Sequence, residues 1–480
     1  MRKREGCRGW GKKARRTAGN FVYWAQRKPT KSRESSGGWL SRYSSHRLMG
    51  VSRTGGLEYT DGRHKPNNKR ELLDRGNGDT KHVYSAAAIN LEGIKAKATS
   101  SRDSRRIPEL DGIRGLAILM VVCVHMFYTP GYGREQSLAI IGRVFALGWS
   151  GVDLFFVLSG FLIGGILLDN RTSERYFRAF YARRFFRIIP VYYAWILLFV
   201  IMVKLGGGLL HANTRSGVVP EAGWRLLSQV FFLQNLWEQH YLKLEYWWFA
   251  PSWSLAVEEH FYLVAPLLVR YLPKRLVTAV LLAVIVAAPL LRYVLHMRSV
   301  AQGLNPNPSY RLTPCRADSL AVGMLLAYGW RSVRFREWLA RSTGVMYAIF
   351  GMLLTLVLGM AWKRPSPNEL VTQTIGYTVL ACFFSMVILL AISRPEGILG
   401  KFFRLGFLRE LGRVSYCMYL IHLAVGYVCF GVILKQIANF ANWKSGAVGV
   451  LAIVLSYLIA CVSWKVLEEP LLRLGHKYKF

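Results

Sequence analysis

From Ile107 onward the chain repeats one pattern: apolar runs long enough to cross a bilayer, separated by short basic stretches. Ten runs are legible, with cores at 113–130, 147–168, 189–205, 253–271, 276–296, 316–330, 344–362, 370–392, 412–434 and 446–467. The sixth is the shortest. The pattern predicts an all-α, polytopic membrane protein with about ten transmembrane helices. The stretch 206–251 is too polar and Gly-rich to span, although it contains Phe231, Phe232 and Leu233. It predicts a loop with an interfacial aromatic portion at Tyr246, Trp247, Trp248 and Phe249.

Residues 1–106 have no such periodicity and are rich in Arg, Lys, Ser and Gly, the composition of a disordered tail. No short apolar core with a small-residue cleavage site marks them as a signal peptide. A solvated tail, or a start assigned too early with Met49 as an in-frame alternative, explains them better than a basic arm for nucleic acid or anionic lipid. The expected organisation is therefore a basic tail over 1–106, a transmembrane domain over 107–470 and a cytoplasmic tail over 471–480.

Composition agrees. Over 480 residues, 52% are apolar and 13% aromatic, yet the formal net charge is +36. That mixture fits a membrane protein whose charges sit in loops and tails. Residues 1–106 carry 26 Lys and Arg against 9 Asp and Glu, and the remainder 37 against 18, so the basic excess has two sources. In the body it orients the helices. With the N-terminus inside, the segments Arg171–Arg187, Arg270–Arg275, Arg331–Arg341 and Arg394–Arg413 all fall inside, and an even helix count returns Lys465, Arg473, Lys477 and Lys479 to the same side. The seven cysteines show neither zinc spacing nor a disulfide framework, so no metal is expected.

An ionisable residue within an apolar run is costly and marks a candidate site. In the first run Arg114 and His125 are eleven residues apart, almost three helical turns, so they share a face about 16 Å apart. Arg114 then lies at the inner interface and His125 near the midplane. Imidazole titrates near neutrality and can take a proton from an attacking hydroxyl. A snorkelling anchor and an interhelical hydrogen bond are the plainer alternatives. The second run carries Asp153, placed to orient a histidine or an acceptor hydroxyl, and Ser159, Gly160, Gly164 and Gly165, which permit close helix approach. The loop before the third run holds Arg171, Arg175, Arg178, Arg183, Arg184 and Arg187, followed by Pro190. Its density exceeds what topology needs and suits either the phosphates of a nucleotide-bearing donor or lipid headgroups. In the fourth run Trp253 is followed by Ser254, Glu258 and Tyr262 on one i, i+4 face, while Glu259 and His260 are placed to meet outer water. Later features are Tyr310 and Arg311 with Arg316 and Asp318, then Ser415, Tyr416, Tyr419 and His422, then Glu468 and Glu469.

Taken in order, these segments resemble the membrane-bound acyltransferase 3 family. The likeness covers roughly 107–470 and rests on five motifs. They are the Arg114 to His125 spacing, Gly151-Val152-Asp153 with Ser159-Gly160-Phe161, Arg183-Arg184 to Pro190, Trp253-Ser254 with Glu258 and Tyr262, and Ser415-Tyr416 with Tyr419 and His422. The resemblance implies an O-acyltransferase of the bacterial inner membrane. It would take an acyl group, often acetyl, from acyl-CoA on the cytosolic side and pass it to a hydroxyl of a carbohydrate-like acceptor. It implies His125 as base or transient acyl carrier, Glu258 and Asp153 as residues that position His125 or the acceptor, and Arg114, Arg183, Arg184 and Arg187 as donor ligands. Trp253, Ser254, Tyr262, Arg311 and His422 are expected at the substrate. The expected partners are the bilayer, the acceptor and a separate soluble enzyme, with no nucleic acid. A transporter or flippase for an anionic or glycosylated substrate is the alternative, against which stand the absence of an evident internal repeat and of paired broken helices.

Overall fold

The structure, a computed structural model, describes residues 107–128, 145–205, 222–236, 248–304, 307–362, 366–436 and 440–480. The expected tail over 1–106 lies outside them. Among the described residues there is no strand, and all ten expected long helices are present. They are α1 (Pro108–Phe127), α2 (Gly151–Asp169), α3 (Tyr176–Leu205), α5 (Ser252–Tyr271), α6 (Lys274–Ala301), α8 (Thr313–Arg331), α10 (Thr343–Trp362), α11 (Tyr377–Ser393), α13 (Gly406–Ile433) and α14 (Trp443–Ser463). Short helices α4 (Ala222–Val230), α7 (Asn307–Arg311), α9 (Val333–Arg341), α12 (Ile398–Phe403) and α15 (Glu469–Gly475) lie between or after them. Wider π-type turns at Thr372–Gly376 and Trp464–Glu468 lead into α11 and α15.

Eight of the long helices are apolar enough to cross a membrane by length and composition. The other two, α5 and α8, carry Glu258 and Glu259, and Arg316 and Asp318, within their length. Leu197 and Ile201 on α3, Leu263 and Leu267 on α5, and Val286 and Leu290 on α6 are exposed. An apolar surface of that extent belongs against lipid. This is a multi-pass membrane protein.

Glycines set two close helix crossings. A Cβ on Gly115 of α1 would lie 1.9 Å from the Leu408 carbonyl oxygen, and one on Gly412 of α13 would lie 1.9 Å from that of Asp111. The α2–α8 crossing repeats the device, with Gly160 against Leu320 and Gly323 against Val157. Without side chains at these points the backbones come into contact. The expectation that Gly160 and Gly164 serve close packing holds, since Gly164 meets Met324. Gly165 instead makes room for the Arg331 guanidinium, which forms a forked ion pair with Asp169 at 2.6 and 2.5 Å.

The arginine-rich segment before the third run is a loop only at Arg171 and Arg175. Helix α3 begins at Tyr176, so Arg178, Arg183, Arg184 and Arg187 are helical, and Pro190 is accommodated inside the helix. Tyr176, Ala179 and Phe180 are buried against the bundle, Arg183, Arg184 and Arg187 continue partly buried beyond them, and Arg178 is exposed. The aromatic portion of 206–251 also differs from expectation. Trp248 and Phe249 are buried, and Trp248 stacks on Trp195 at 4.0 Å. Each indole N–H donates to the other residue's carbonyl, at 3.2 and 3.3 Å. Tyr246 and Trp247 lie outside the described residues. Residues 471–480, expected as a tail, are helical through Gly475 and then lie along α3.

Candidate active site

Helices α1, α2, α3, α5 and α13 line an open cavity of about 310 Å3, bordered on one side by α15 and the residues after it. Seven expected site residues line it: Arg114, Arg183, Arg184, Arg187, Ser254, Glu258 and Tyr262. The three arginines of α3 and Arg114 of α1 give one wall a strong positive charge. Arg114 is held by Asp111 at 3.0 Å. Arg184 lies over the rings of Tyr262 and Phe180, and its Nε is buried without a hydrogen-bond partner. Hydroxyls line the cavity as well. Tyr262 donates to the Glu258 carboxylate at 3.0 Å, so the Ser159 hydroxyl, 3.0 Å away, must donate to Tyr262. Ser159 is therefore a polar partner rather than only a small packing residue. Ser254 and Tyr419 hydroxyls meet at 2.6 Å, joining α5 to α13.

Beyond Tyr419 lies a pair of imidazoles. The Nδ1 of His125 is 2.7 Å from the Val121 carbonyl oxygen, and the Nδ1 of His422 is 2.7 Å from that of Tyr419. A carbonyl only accepts, so both neutral rings carry their proton on Nδ1. The Nε2 of His422 is then a bare lone pair, and it faces His125 Nδ1 at 3.2 Å. It accepts part of that shared N–H and fixes the ring. This leaves His125 Nε2 unprotonated. His422 is fully buried, whereas His125 is exposed along α1. The two form the arrangement a general base needs: a free lone pair on an accessible ring, oriented by a buried neighbour.

The remaining expected residues lie elsewhere. Asp153 is not hydrogen-bonded to His125. It is fully buried against Arg316 at 2.5 Å, with the Ser319 hydroxyl at 3.3 Å. Trp253 packs between Phe156 and Tyr310. Arg311 ends α7, and its carbonyl accepts from Asn235 at 3.2 Å. Glu259 and His260, placed by sequence toward outer water, face protein instead: His260 Nδ1 pairs with the Thr313 hydroxyl at 2.7 Å, and one Glu259 oxygen is buried.

Motifs alone pass over Arg292 and His296. Arg292 is fully buried, pairs with Asp318 at 2.9 Å and donates to the Gln373 carbonyl in the π-type turn. His296 Nδ1 meets the Gln373 side chain at 2.7 Å. Asp318 also accepts from Thr378 at 2.8 Å. The available signal was two ionisable residues at i, i+4 inside an apolar helix.

The Listeria monocytogenes peptidoglycan O-acetyltransferase OatA is 27% identical over 390 residues, covering 79% of this chain and 58% of that protein. The Staphylococcus aureus O-acetyltransferase OatA is 25% identical over 386 residues, covering 78% and 58%. The chain thus spans somewhat over half the length of these relatives. No solved structure gives a significant match. Residues 107–465 match the acyltransferase 3 family, described as an acyltransferase domain, and that span takes in every residue of the cavity wall before α15 and both histidines. With more than half of the chain matched, this protein belongs to the acyltransferase 3 family.

Proposed function

We propose that the chain is an integral membrane O-acyltransferase that moves an acyl group, acetyl foremost, from acyl-CoA to a hydroxyl of a cell-envelope carbohydrate. One observation carries this reading. Helix α1 presents Arg114 to an arginine-walled cavity and, eleven residues on, His125 to a second imidazole. A CoA thioester needs that separation, because its phosphates lie far from its reactive carbon. The phosphates lie among Arg183, Arg184 and Arg187, which bind them in forked geometry. The pantetheine arm runs past Glu258 and Ser254 toward the histidines. The orientation that loop charge favours, with both termini cytoplasmic, puts the arginines on the side where acyl-CoA is found.

His125 Nε2 takes the proton of the acceptor hydroxyl as its oxygen attacks the thioester carbon. A C–O bond forms, the C–S bond breaks, and the departing thiolate recovers the proton from the imidazolium. The same lone pair serves if the ring carries the acyl group transiently. Asp153 contributes through Arg316 rather than on His125. The name of the Listeria relative, a peptidoglycan O-acetyltransferase, supports a glycan hydroxyl as acceptor.

Membranes holding the chain, given labelled acetyl-CoA and native envelope, test this. Label should enter a glycan with His125 intact and not with His125→Ala. Movement of the acceptor across vesicles without any acyl donor, and no His125-dependent label, would replace the reading with a transporter.

A further inference from the structure

A second basic recess of about 370 Å3, open to solvent, lies beside the cavity, lined by Arg175, Arg178, Ala179, Lys477, Tyr478 and Lys479. One strand of chain divides the two. Gly475, His476 and Phe480 face the cavity, while Lys477, Tyr478 and Lys479 face the recess. The divider is fastened to α3. Arg183 Nε donates to the Tyr478 carbonyl at 2.8 Å, its guanidinium lies 4.9 Å from the Phe480 ring centre, and Tyr478 stacks on Phe186. Gly475 lets α15 approach Phe186, where a Cβ would lie 3.2 Å from the ring's own Cβ. So Lys477 and Lys479, both exposed, are brought beside the equally exposed Arg175 and Arg178 of α3 around one recess.

Four cations share this recess, and none has a carboxylate partner among the described residues. Like charges gathered without a counter-ion repel, and a dianion relieves the repulsion. A phosphate monoester carries about −1.5 to −2 near neutral pH and accepts several charge-assisted hydrogen bonds. The spacing fits a ligand with two phosphate groups. Arg178 and Arg183 are five residues apart on one helix, about 7.5 Å along its axis and on different faces.

We propose that Arg175, Arg178, Lys477 and Lys479 form a second anion subsite, which takes the terminal phosphate monoester of a nucleotide donor whose pyrophosphate lies across the divider among Arg183, Arg184 and Arg187. The inference rests on the acyl-CoA reading above and adds to it. The donor is read at two points, and the strand through Tyr478 is the saddle between them. An anionic lipid headgroup offers the same chemistry, so the test separates the two sources.

The full chain is placed in vesicles of phosphatidylcholine alone, and the KM for acetyl-CoA is compared with that for acetyl-dephospho-CoA, which lacks only the terminal phosphate. Wild type should favour acetyl-CoA by about tenfold, the worth of a charged hydrogen-bonded contact. Arg178→Gln with Lys477→Gln should bring the ratio near one, as should the independent pair Arg175→Gln with Lys479→Gln. Arg473→Gln, an exposed cation outside the recess, should keep the wild-type ratio. No discrimination by wild type, or equal discrimination by the variants, overturns the subsite while leaving the acyl-CoA reading intact. Variants that lose only response to added phosphatidylglycerol assign the recess to lipid and overturn the proposal. If neither donor turns over, the acyl-CoA reading fails and the subsite fails with it.

Discussion

The Nε2 of His422 faces the Nδ1 of His125 at 3.2 Å, and each Nδ1 is also tied to a carbonyl one turn back on its own helix. Two helices far apart in sequence thereby hold one imidazole with its outer nitrogen free. Replacing His125 by Ala should lower acetyl transfer by roughly 10² to 10⁴, the usual worth of a positioned base. His422→Ala should cost less, because the Val121 carbonyl still holds the tautomer. His422→Gln, which keeps an acceptor in place, should recover part of the rate. Rates on protein of unchanged elution and melting behaviour check both.

Tyr262→Phe removes the hydroxyl that links Ser159 to Glu258. The Glu258 carboxylate then loses a donor, worth about 1 to 3 kcal/mol for a hydrogen bond to a charged group. Donor KM should rise several-fold and the melting temperature should fall by only a few degrees, because the ring still fills its place against Phe180.

The Asp153–Arg316 pair has no exposed surface on either side. Arg316→Met leaves a buried carboxylate and should destabilise by about 3 to 5 kcal/mol. Asp153→Asn combined with Arg316→Met should recover much of that loss, which thermal unfolding in detergent can measure. An additive double variant would mean the two side chains do not depend on each other.

Gly412→Ala and Gly351→Ala differ only in surroundings. The first puts a methyl 1.9 Å from the Asp111 oxygen, whereas nothing lies within 4 Å of a Cβ at Gly351. Gly412→Ala should force α1 and α13 apart at a cost of at least about 1 to 3 kcal/mol and lower activity with it. Gly351→Ala should leave both unchanged.

The ten helices were legible because lipid demands long apolar runs, and that demand is written locally. The start of α3 was not, because arginines on a helix and arginines in a loop have similar composition. Only the burial of Tyr176, Ala179 and Phe180 distinguishes them. The gathering of Arg114, the α3 arginines, Ser254, Glu258 and Tyr262 was expected from motif order, and the cavity unites them. The partner of His125 was not readable. His422 stood out as an intramembrane histidine, but 297 residues separate the two, and spacing within one helix says nothing about another. The sequence places Asp153 to orient a histidine or an acceptor hydroxyl, and nothing local names its partner. Arg316, in a weaker motif, takes it instead.

The crossing of α1 on α13 has a consequence for biosynthesis. Gly115 and Gly412 fit against backbone from each other's helix, yet nearly 300 residues of chain are made between them. At about 5–20 residues per second, α1 waits roughly 15 s to a minute before its counterpart leaves the ribosome. Throughout that interval Asp111, Arg114 and His125 must be sheltered by the insertion machinery, by water at the membrane surface or by α2. A ribosome that stalls before α13 leaves a membrane-inserted chain that lacks His422 and so an oriented base. The pairing of His125 with His422 therefore waits for α13, and a chain short of it carries His125 without the ring that orients it.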